Sequence, residues 1–466
     1  MRVVLWDTRK FDVSKDFAGG YGVGQYPGGR RARSQLVRFM YKRDHRPTAL
    51  NFAYLAAIFR DLGHSVEYVE DYIPPDADLY VFNPSLLTLP YERQAIRRAV
   101  AHCDSAGRGA KALVVGLVAH ALPEAFDGLG ATVLEGEPEQ LRWRLDEALA
   151  APAGRFKLGQ VADLDALPFP DWSLFKPHRF RVSYDFSQFP TGFVQSSRGC
   201  TLKCDYCPYI IQQNAVRHRS PEAVVAEIRR GMAWYGFRSF KFRDPLFGLD
   251  RQRALRLADL IGHLPRKIQF SIESRIDLLK PETIGALHDV GLTSITVGVE
   301  TPDVNQLRSH SRAPIADDRQ RQFIEHCRKL GIRTVAGFMI GFPQDTRDSI
   351  LGVLDYARRL NPTFANFNVV TPYPGTQFFR QIKDEIASFD YSEYSVYRPV
   401  LKYENLTPAD VSKLLEKCFT SFYFRWRWFE AHGPLLWPWF PFAALSPKPR
   451  TAPHAPLTRD SSRRAA

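Results

Sequence analysis

The stretch Ser197-Arg198-Gly199-Cys200-Thr201-Leu202-Lys203-Cys204-Asp205-Tyr206-Cys207-Pro208 decides how the rest of the chain is read. It gathers three of the six cysteines of a 466-residue chain into one Cys-x-x-x-Cys-x-x-Cys run. The other three, Cys103, Cys327 and Cys418, are scattered through helical patterns and read as small core side chains. Six cysteines so placed do not make a disulfide framework, and clustered thiols in a reducing compartment read as metal or catalytic groups. Thiolates hold iron–sulfur clusters, and a four-iron cube gripped by three cysteines keeps one iron open to an outside group. A structural zinc ion needs four protein ligands. The nearest further candidate, His218, stands beside a helix start, well beyond Cys207. The iron–sulfur reading is therefore the stronger of the two.

Around this run the pattern is strand–helix alternation. Phe193 to Ser196 leads into the cysteines, and a helix begins at Pro221 with Ser220 as its N-cap. Apolar runs predict strands at Ser239–Phe242, Ile268–Ile272, Ser294–Val299, Arg333–Ile340 and Ala365–Val370, with helices between them. Six such units make an open relative of the eight-fold β/α barrel.

The cysteine run, with an aromatic residue before its third cysteine, resembles the signature of radical S-adenosylmethionine (SAM) enzymes. The resemblance extends through later segments in order. They are Phe240–Pro245, Phe270–Asp277, Thr296–Thr301, Gly337–Thr346 and Thr371–Thr376. It implies a [4Fe–4S] cluster on Cys200, Cys204 and Cys207, with SAM chelating the open iron. Reductive cleavage then gives a 5′-deoxyadenosyl radical that abstracts a hydrogen atom from substrate, so an electron donor of the flavodoxin or ferredoxin type is implied too. By the same resemblance Tyr206, Asp244, Glu273, Arg275 and Glu300 line the SAM site. Asp244 matches the group that meets the methionine amino group. Gly337 and Gly341 match the segment that supports adenine. Read without the resemblance, Glu273 or Arg275 could be plain surface ion-pair residues, which is the weaker reading.

Residues 1–150 alternate in the same way. Strands are predicted at Val3–Trp6, Val66–Val69, Leu79–Phe82, Leu113–Val118 and Thr132–Leu134, and helices at Ala49–Leu62, Tyr91–Cys103 and from Pro138. This argues a parallel sheet covered on both faces, with ligands at the carboxyl ends of its strands. Its motifs resemble the cobalamin (B12)-binding domain that precedes one class of radical SAM enzymes. Ser85-Leu86-Leu87 resembles a Ser-x-Leu element, Val114 to Glu124, with Gly116, His120 and Pro123, a Val-Gly-Gly-x-His segment before Pro-Glu, and Glu135-Gly136-Glu137-Pro138-Glu139 a Gly-Glu-x-Glu turn. That implies cobalamin at Ser85 and Gly116, and methylation of an unactivated carbon. The chain departs from the pattern at Leu117, where the second glycine belongs, and has no Asp-x-His-x-x-Gly motif. A domain that only shapes the substrate pocket is the alternative. It would go with cobalamin-independent oxidation, ring closure or carbon–carbon coupling. A binding protein with a relic cluster is a third reading, opposed by the intact cysteines. The glycine-rich stretch Gly19–Gly29 fits no dinucleotide fingerprint and reads as a loop near the active site.

The expected organisation is α/β: a flavodoxin-like domain at 1–150, a Pro-punctuated linker at 151–192, a partial (β/α)6 barrel at 193–385, a small helical and aromatic region at 386–445, and a disordered tail at 446–466. Charge concentrates at the ends. Residues 1–46 carry eleven Lys or Arg against four Asp or Glu, and residues 421–466 carry seven against two, within a net charge of +13. Phe422 to Phe442 interleaves aromatics with Arg425 and Arg427, including Trp426, Trp428, Trp437 and Trp439. Such a stretch suits a membrane interface or a lipid-like substrate, or ordinary docking against the barrel. Nucleic acid is the weaker reading, since no RNA-binding module is recognisable. No run of about 18 apolar residues occurs, so no membrane-spanning helix is expected. The expected location is the cytoplasm, with peripheral contact at the inner membrane face.

Overall fold

A computed structural model of the chain describes residues 1–8, 13–15, 18–41, 49–70, 73, 75–106, 111–176, 180, 188–212 and 215–436. Two six-stranded parallel sheets organise it.

The first sheet comprises β1 (Arg2–Trp6), β2 (Ser65–Val69), β3 (Leu79–Phe82), β4 (Lys111–Val114), β5 (Thr132–Gly136) and β6 (Gly154–Gly159). The strand order is β2-β1-β3-β4-β5-β6. Successive side chains of a strand point to opposite faces, and β1 uses both. Val3 and Leu5 pack in one core with the helix Leu50–Asp61, while Val4 and Trp6 pack in a second core with Ile96 and Ala99 of the helix Leu89–Ala106. A strand covered on both faces is a continuous apolar run, which is why β1 and β3 were legible.

Two expectations need correction. The predicted strand Leu113–Val118 leaves the sheet at Val114, and Leu117–Ala121 is a short helix. Gly116 turns the chain with φ +91, and a Cβ there would collide with Asn83 Oδ1. The sheet also continues past residue 150. Residues 154–159, inside the stretch read as a linker, form the edge strand β6, paired with β5 alone. Arg155 and Lys157 point to solvent, and a glycine stands at each end, so punctuation masked the strand.

The second sheet comprises β7 (Thr191–Val194), β8 (Ser239–Phe242), β9 (Gln269–Ser274), β10 (Leu292–Glu300), β11 (Arg333–Ile340) and β12 (Phe364–Val369). Its order is β12-β11-β10-β9-β8-β7, with every neighbour parallel. Each crossover contains a helix, and the first starts as predicted, with Ser220 Oγ accepting from the Ala223 N–H at 3.2 Å. In a closed barrel the inner face of such strands is filled core. Here it is half-open: Thr296, Gly298 and Glu300 of β10 and Val335, Gly337 and Met339 of β11 are all partly exposed, while the residues between them are buried.

The C-terminal region closes over β12. The helix Pro408–Tyr423 starts in a capping box between Thr407 and Asp410. The Tyr423 hydroxyl accepts from Ala365 N–H and donates to Ala365 C=O, each at 3.1 Å. A last helix, Trp426–Leu436, buries Trp428, whose Nε1–H donates to Thr363 C=O at 3.0 Å. Trp426 is 80% exposed. The aromatic stretch is thus docked core in part and open surface in part. Trp437, Trp439 and the 446–466 tail lie outside the described residues. No helix among the described residues is long and apolar enough to cross a membrane.

Candidate active site

The cysteine loop leaves the end of β7 and is held in place by a buried carboxylate. Asp244, at the end of β8, accepts from Ser196 N–H at 2.7 Å, Ser196 Oγ–H at 2.5 Å and Ser197 Oγ–H at 2.7 Å. Asp244 is 1% exposed, and burial lifts its pKa above the ordinary value against those hydrogen bonds. Its bonding capacity therefore goes to the loop that carries the cysteines. After the cysteines the chain returns as a short antiparallel strand, Arg217–His218, paired with Ser197–Arg198.

Cys204 is buried, and Cys200 and Cys207 are partly exposed. Burial raises the thiol of Cys200, which the nearby cations of Arg275 and Arg312 oppose, and pushes that of Cys207 up to about 12. Three thiols on one loop beside two guanidiniums are the donor set and counter-charge that an anionic iron–sulfur cluster requires. Among the described residues no three His, Cys, Asp or Glu side chains are grouped to hold a single metal ion. The residues present fit the cluster.

Behind the loop stands a group that sequence reading missed. Arg312 Nη2 lies 3.1 Å from Glu300 Oε1 and donates to Gly298 C=O at 2.6 Å, while Nη1 lies 3.9 Å from Cys204 Sγ. Glu300 ends β10 with φ +68, next to a register shift. A Cβ on Gly298 would strike the Glu300 carboxylate and Arg312 Nη2, so a side chain there would have to displace that pair. His310 supports the other side. Its Nδ1 sits 3.1 Å from the Asp205 carboxylate, and its ring stacks on Phe342 at 4.7 Å. Neither Arg312 nor His310 lies in a strand pattern, and nothing in their spacing marks them.

The predicted SAM residues divide. Tyr206, Glu300 and Gly337 border the half-open face. The buried Tyr206 hydroxyl has no hydrogen-bond partner among the described residues. A Cβ on Gly337 would meet nothing closer than Val297 C=O at 3.8 Å, so this glycine leaves room. Arg275 makes a two-pronged contact with Asp277 at 2.8 and 2.9 Å and keeps Nη1 buried and unpartnered. Glu273 faces Lys241 at 3.3 Å and Arg243 at 3.8 Å. The ion-pair reading of both is therefore visible in the fold. Gly341 instead serves a turn: with φ +78 it gives its N–H to Asp345 Oδ2 at 2.7 Å and packs under Val369 and Val411.

The two domains meet through the Gly-Glu-x-Glu turn. Glu139 accepts from Arg198 at 2.6 Å, and Glu137 takes both prongs of Arg217, at 2.6 and 2.8 Å. Burial alone would raise Glu137, but Arg217 and Arg198 outweigh it and hold its carboxyl below the ordinary value. The turn that resembled a cobalamin motif thus locks the first domain to the cysteine loop.

Ser85 and Gly116 lie at the strand ends of that domain. The space beside them holds the chain's own residues. A Cβ on Gly22 would meet Ser85 Oγ at 3.2 Å, and one on Gly20 would meet Leu117 Cβ at 3.3 Å. Ser85 Oγ is itself bonded to Thr88 Oγ1 at 2.8 Å. The residues present do not fit a nucleotide tail of cobalamin.

The three-cysteine loop thus stands at the head of an open parallel half-barrel, and a second parallel α/β domain precedes it. Residues 194–357 match the sequence model of the Radical SAM superfamily. The chain is 26% identical over 284 residues to an uncharacterised methyltransferase of Pyrococcus horikoshii, covering 59% of this chain and 61% of that one. It is 24% identical over 270 residues to the anaerobic magnesium-protoporphyrin IX monomethyl ester cyclase of Cereibacter sphaeroides, covering 57% and 43%. The chain thus spans about half the length of these relatives. The solved structure of the cobalamin-dependent SAM radical enzyme OxsB with aqua-cobalamin and SAM superposes with a TM-score of 0.65 at 13% identity, over 96% of this chain and 69% of that one.

Proposed function

We propose that this chain is a radical SAM enzyme that removes a hydrogen atom from an unactivated carbon of a small, largely apolar molecule, with methyl transfer to that carbon as the reaction class. The observation that carries the reading is the cysteine loop set over a half-open strand face, with Glu300 and Tyr206 at its rim. When bound, a reduced [4Fe–4S] cluster and SAM supply a 5′-deoxyadenosyl radical. The chain's own residues do the rest. Cys200, Cys204 and Cys207 hold the cluster, Asp244 fixes their loop, and Arg312 aligns Glu300 with it. Glu300 and the buried hydroxyl of Tyr206 receive the polar parts of SAM, and Gly337 leaves space for them. The relatives favour methyl transfer by name. A second outcome, ring closure or oxidation without methyl transfer, is favoured by the filled space beside Ser85 and Leu117. Anaerobic protein with a chemical reductant and methyl-labelled SAM separates them. Methyl transfer gives 5′-deoxyadenosine together with S-adenosylhomocysteine and a labelled product. The second outcome gives 5′-deoxyadenosine alone, and neither product would overturn the proposal.

Peripheral contact with an anionic membrane belongs to the same reading. Helix Ala32–Tyr41 exposes Leu36 and Phe39, the C-terminal helix exposes Trp426 and Phe429, and Arg33 lies over the Phe424 ring at 5.3 Å, joining the two. Aromatics flanked by arginine are what the headgroup boundary of an anionic bilayer accepts.

A further inference from the structure

The groove in which a flavodoxin-like domain of this class takes its ligand lies at the carboxyl ends of its strands. In this chain the groove runs between Ser85, beyond β3, and Gly116-Leu117, beyond β4. Residues 18–24 lie along it. Gly19, Gly20 and Gly22 have φ of +68, +114 and +88, a backbone that side-chain-bearing residues rarely adopt. Little room is left beside each: a Cβ on Gly19 would lie 3.2 Å from Leu117 Cδ2, one on Gly20 3.3 Å from Leu117 Cβ, and one on Gly22 3.2 Å from Leu87 Cδ1. The Leu86 N–H donates to Tyr21 C=O at 2.9 Å, so the segment is bonded into the groove as well as packed there.

The segment is held from the second domain too. A Cβ on Gly19 would lie 3.3 Å from the carbonyl oxygen of Pro208, one residue past Cys207. The Tyr21 ring is fully buried and stacks on Tyr373 at 4.9 Å with planes 3° apart, and its hydroxyl donates to Pro374 C=O. Lys15, just upstream, pairs with Asp7 at 2.8 Å and with the buried Glu92. Glu92 in turn accepts from Thr88, the partner of Ser85. Polar groups that could have received a ligand are thereby used internally, and Leu117 stands where the resemblance places a glycine.

We propose that residues 18–24 are a permanent occupant of the cofactor groove of the first domain, so that this chain works without a corrinoid bound there. The segment replaces the ligand as the filler between the two domains and carries Tyr21 to the roof of the half-barrel, beside the cysteine loop. The inference rests on the radical SAM reading and, by removing the methyl-carrying cofactor, favours within it the outcome without methyl transfer.

The test uses full-length protein prepared anaerobically with hydroxocobalamin present throughout, then desalted. Iron, cobalt and the corrinoid absorbance are measured, along with 5′-deoxyadenosine formed from SAM under reduction. The expected result is about four irons per chain, SAM cleavage, and no cobalt above background. Stoichiometric cobalt would overturn the inference, whether or not SAM is cleaved. Loss of iron binding and of SAM cleavage would count against the radical SAM reading instead. A second measurement does not depend on the cluster. Hydrogen exchange at residues 18–24 should be slow, since Tyr21 N–H is bonded to Ala18 C=O and Gly24 N–H to Ser395 C=O. It should also be unchanged by hydroxocobalamin. Faster exchange on its addition would show the segment leaving the groove and would overturn the inference.

Discussion

Arg312 stands between Glu300 and Cys204, 3.1 Å from the carboxylate of the first and 3.9 Å from the sulfur of the second. A single guanidinium thus ties the rim of the proposed SAM site to a proposed cluster ligand. Removing its charge should make the cluster harder to reduce. At such distances a unit charge in a partly buried site acts with an energy of order 1 kcal/mol, or some tens of millivolts for one electron. Arg312→Met should lower the midpoint potential read by EPR-monitored titration while iron content stays unchanged. An unaltered potential would show that Arg312 serves packing alone.

Glu300→Gln keeps the shape of the side chain and removes its charge. Hydrogen bonds to a charged group are worth about 1.5–3 kcal/mol, so SAM affinity should fall by roughly tenfold or more. Calorimetric titration of the folded variant checks this. Unchanged affinity with lowered thermal stability would assign Glu300 to the Arg312 pair only.

Asp244 accepts three hydrogen bonds from Ser196 and Ser197, and an amide in its place would turn a donor toward a donor. Asp244→Asn should therefore loosen the cysteine loop at a cost of about 1–3 kcal/mol. The expected readout is fewer irons per chain after anaerobic reconstitution, before any effect on SAM is considered. Full iron content would rule out this positioning role.

Glu137 faces Arg217 and Arg198 with its carboxyl held below the ordinary value of 4.5. A carboxylate with a depressed folded-state pKa contributes its stability in full above the unfolded value and loses it as pH falls through the lower one. The junction between the domains should accordingly weaken below about pH 4.5. Glu137→Gln removes the carboxylate of the partly buried Arg217 and leaves the buried Arg198 with Glu139 alone, and breaking a buried ion pair typically costs about 3–5 kcal/mol. Thermal unfolding of the variant at neutral pH should show that loss, and its acid dependence should flatten.

The mixed aromatic and basic face of helix Ala32–Tyr41 and helix Trp426–Leu436 gives a test of membrane contact. Phe39→Ser combined with Trp426→Ser should reduce co-sedimentation with anionic vesicles, with little change for neutral ones. High salt should weaken attachment of the wild type, since basic residues contribute about 1 kcal/mol each near an anionic surface. Equal sedimentation of variant and wild type would exclude this face.

Much of the architecture could be read from the residues. Fully buried strands such as Leu79–Phe82 announce themselves as apolar runs, and the Ser220-Pro221 start is a local signal with a local cause. The cysteine spacing needed no tertiary information. What escaped reading depends on distant partners. β6 alternates Arg155 and Lys157 with Phe156 and Leu158, and only its pairing with β5 makes it a strand. Arg312 acquires meaning from Cys204, 108 residues away. The glycines at 19, 20 and 22 looked like a free loop, because nothing local reveals that Leu117 and Ser85 press on them. Asp244 was read as a SAM-binding residue, and its hydrogen bonds to Ser196 and Ser197 could not be read.

The two tyrosine hydroxyls at Ala365 bear on how this protein should be handled. β12 is the last strand of its sheet, and Tyr423 and Tyr41 occupy backbone groups of Ala365 that would otherwise point outward. An exposed strand edge is a template for edge-to-edge aggregation. Shortening the chain before Tyr423, the obvious way to probe the C-terminal aromatics, would strip that protection along with the surface under study. Sedimentation of such a fragment would report self-association. Point substitutions at exposed positions of the intact chain are the means of telling adhesion to lipid from adhesion to itself.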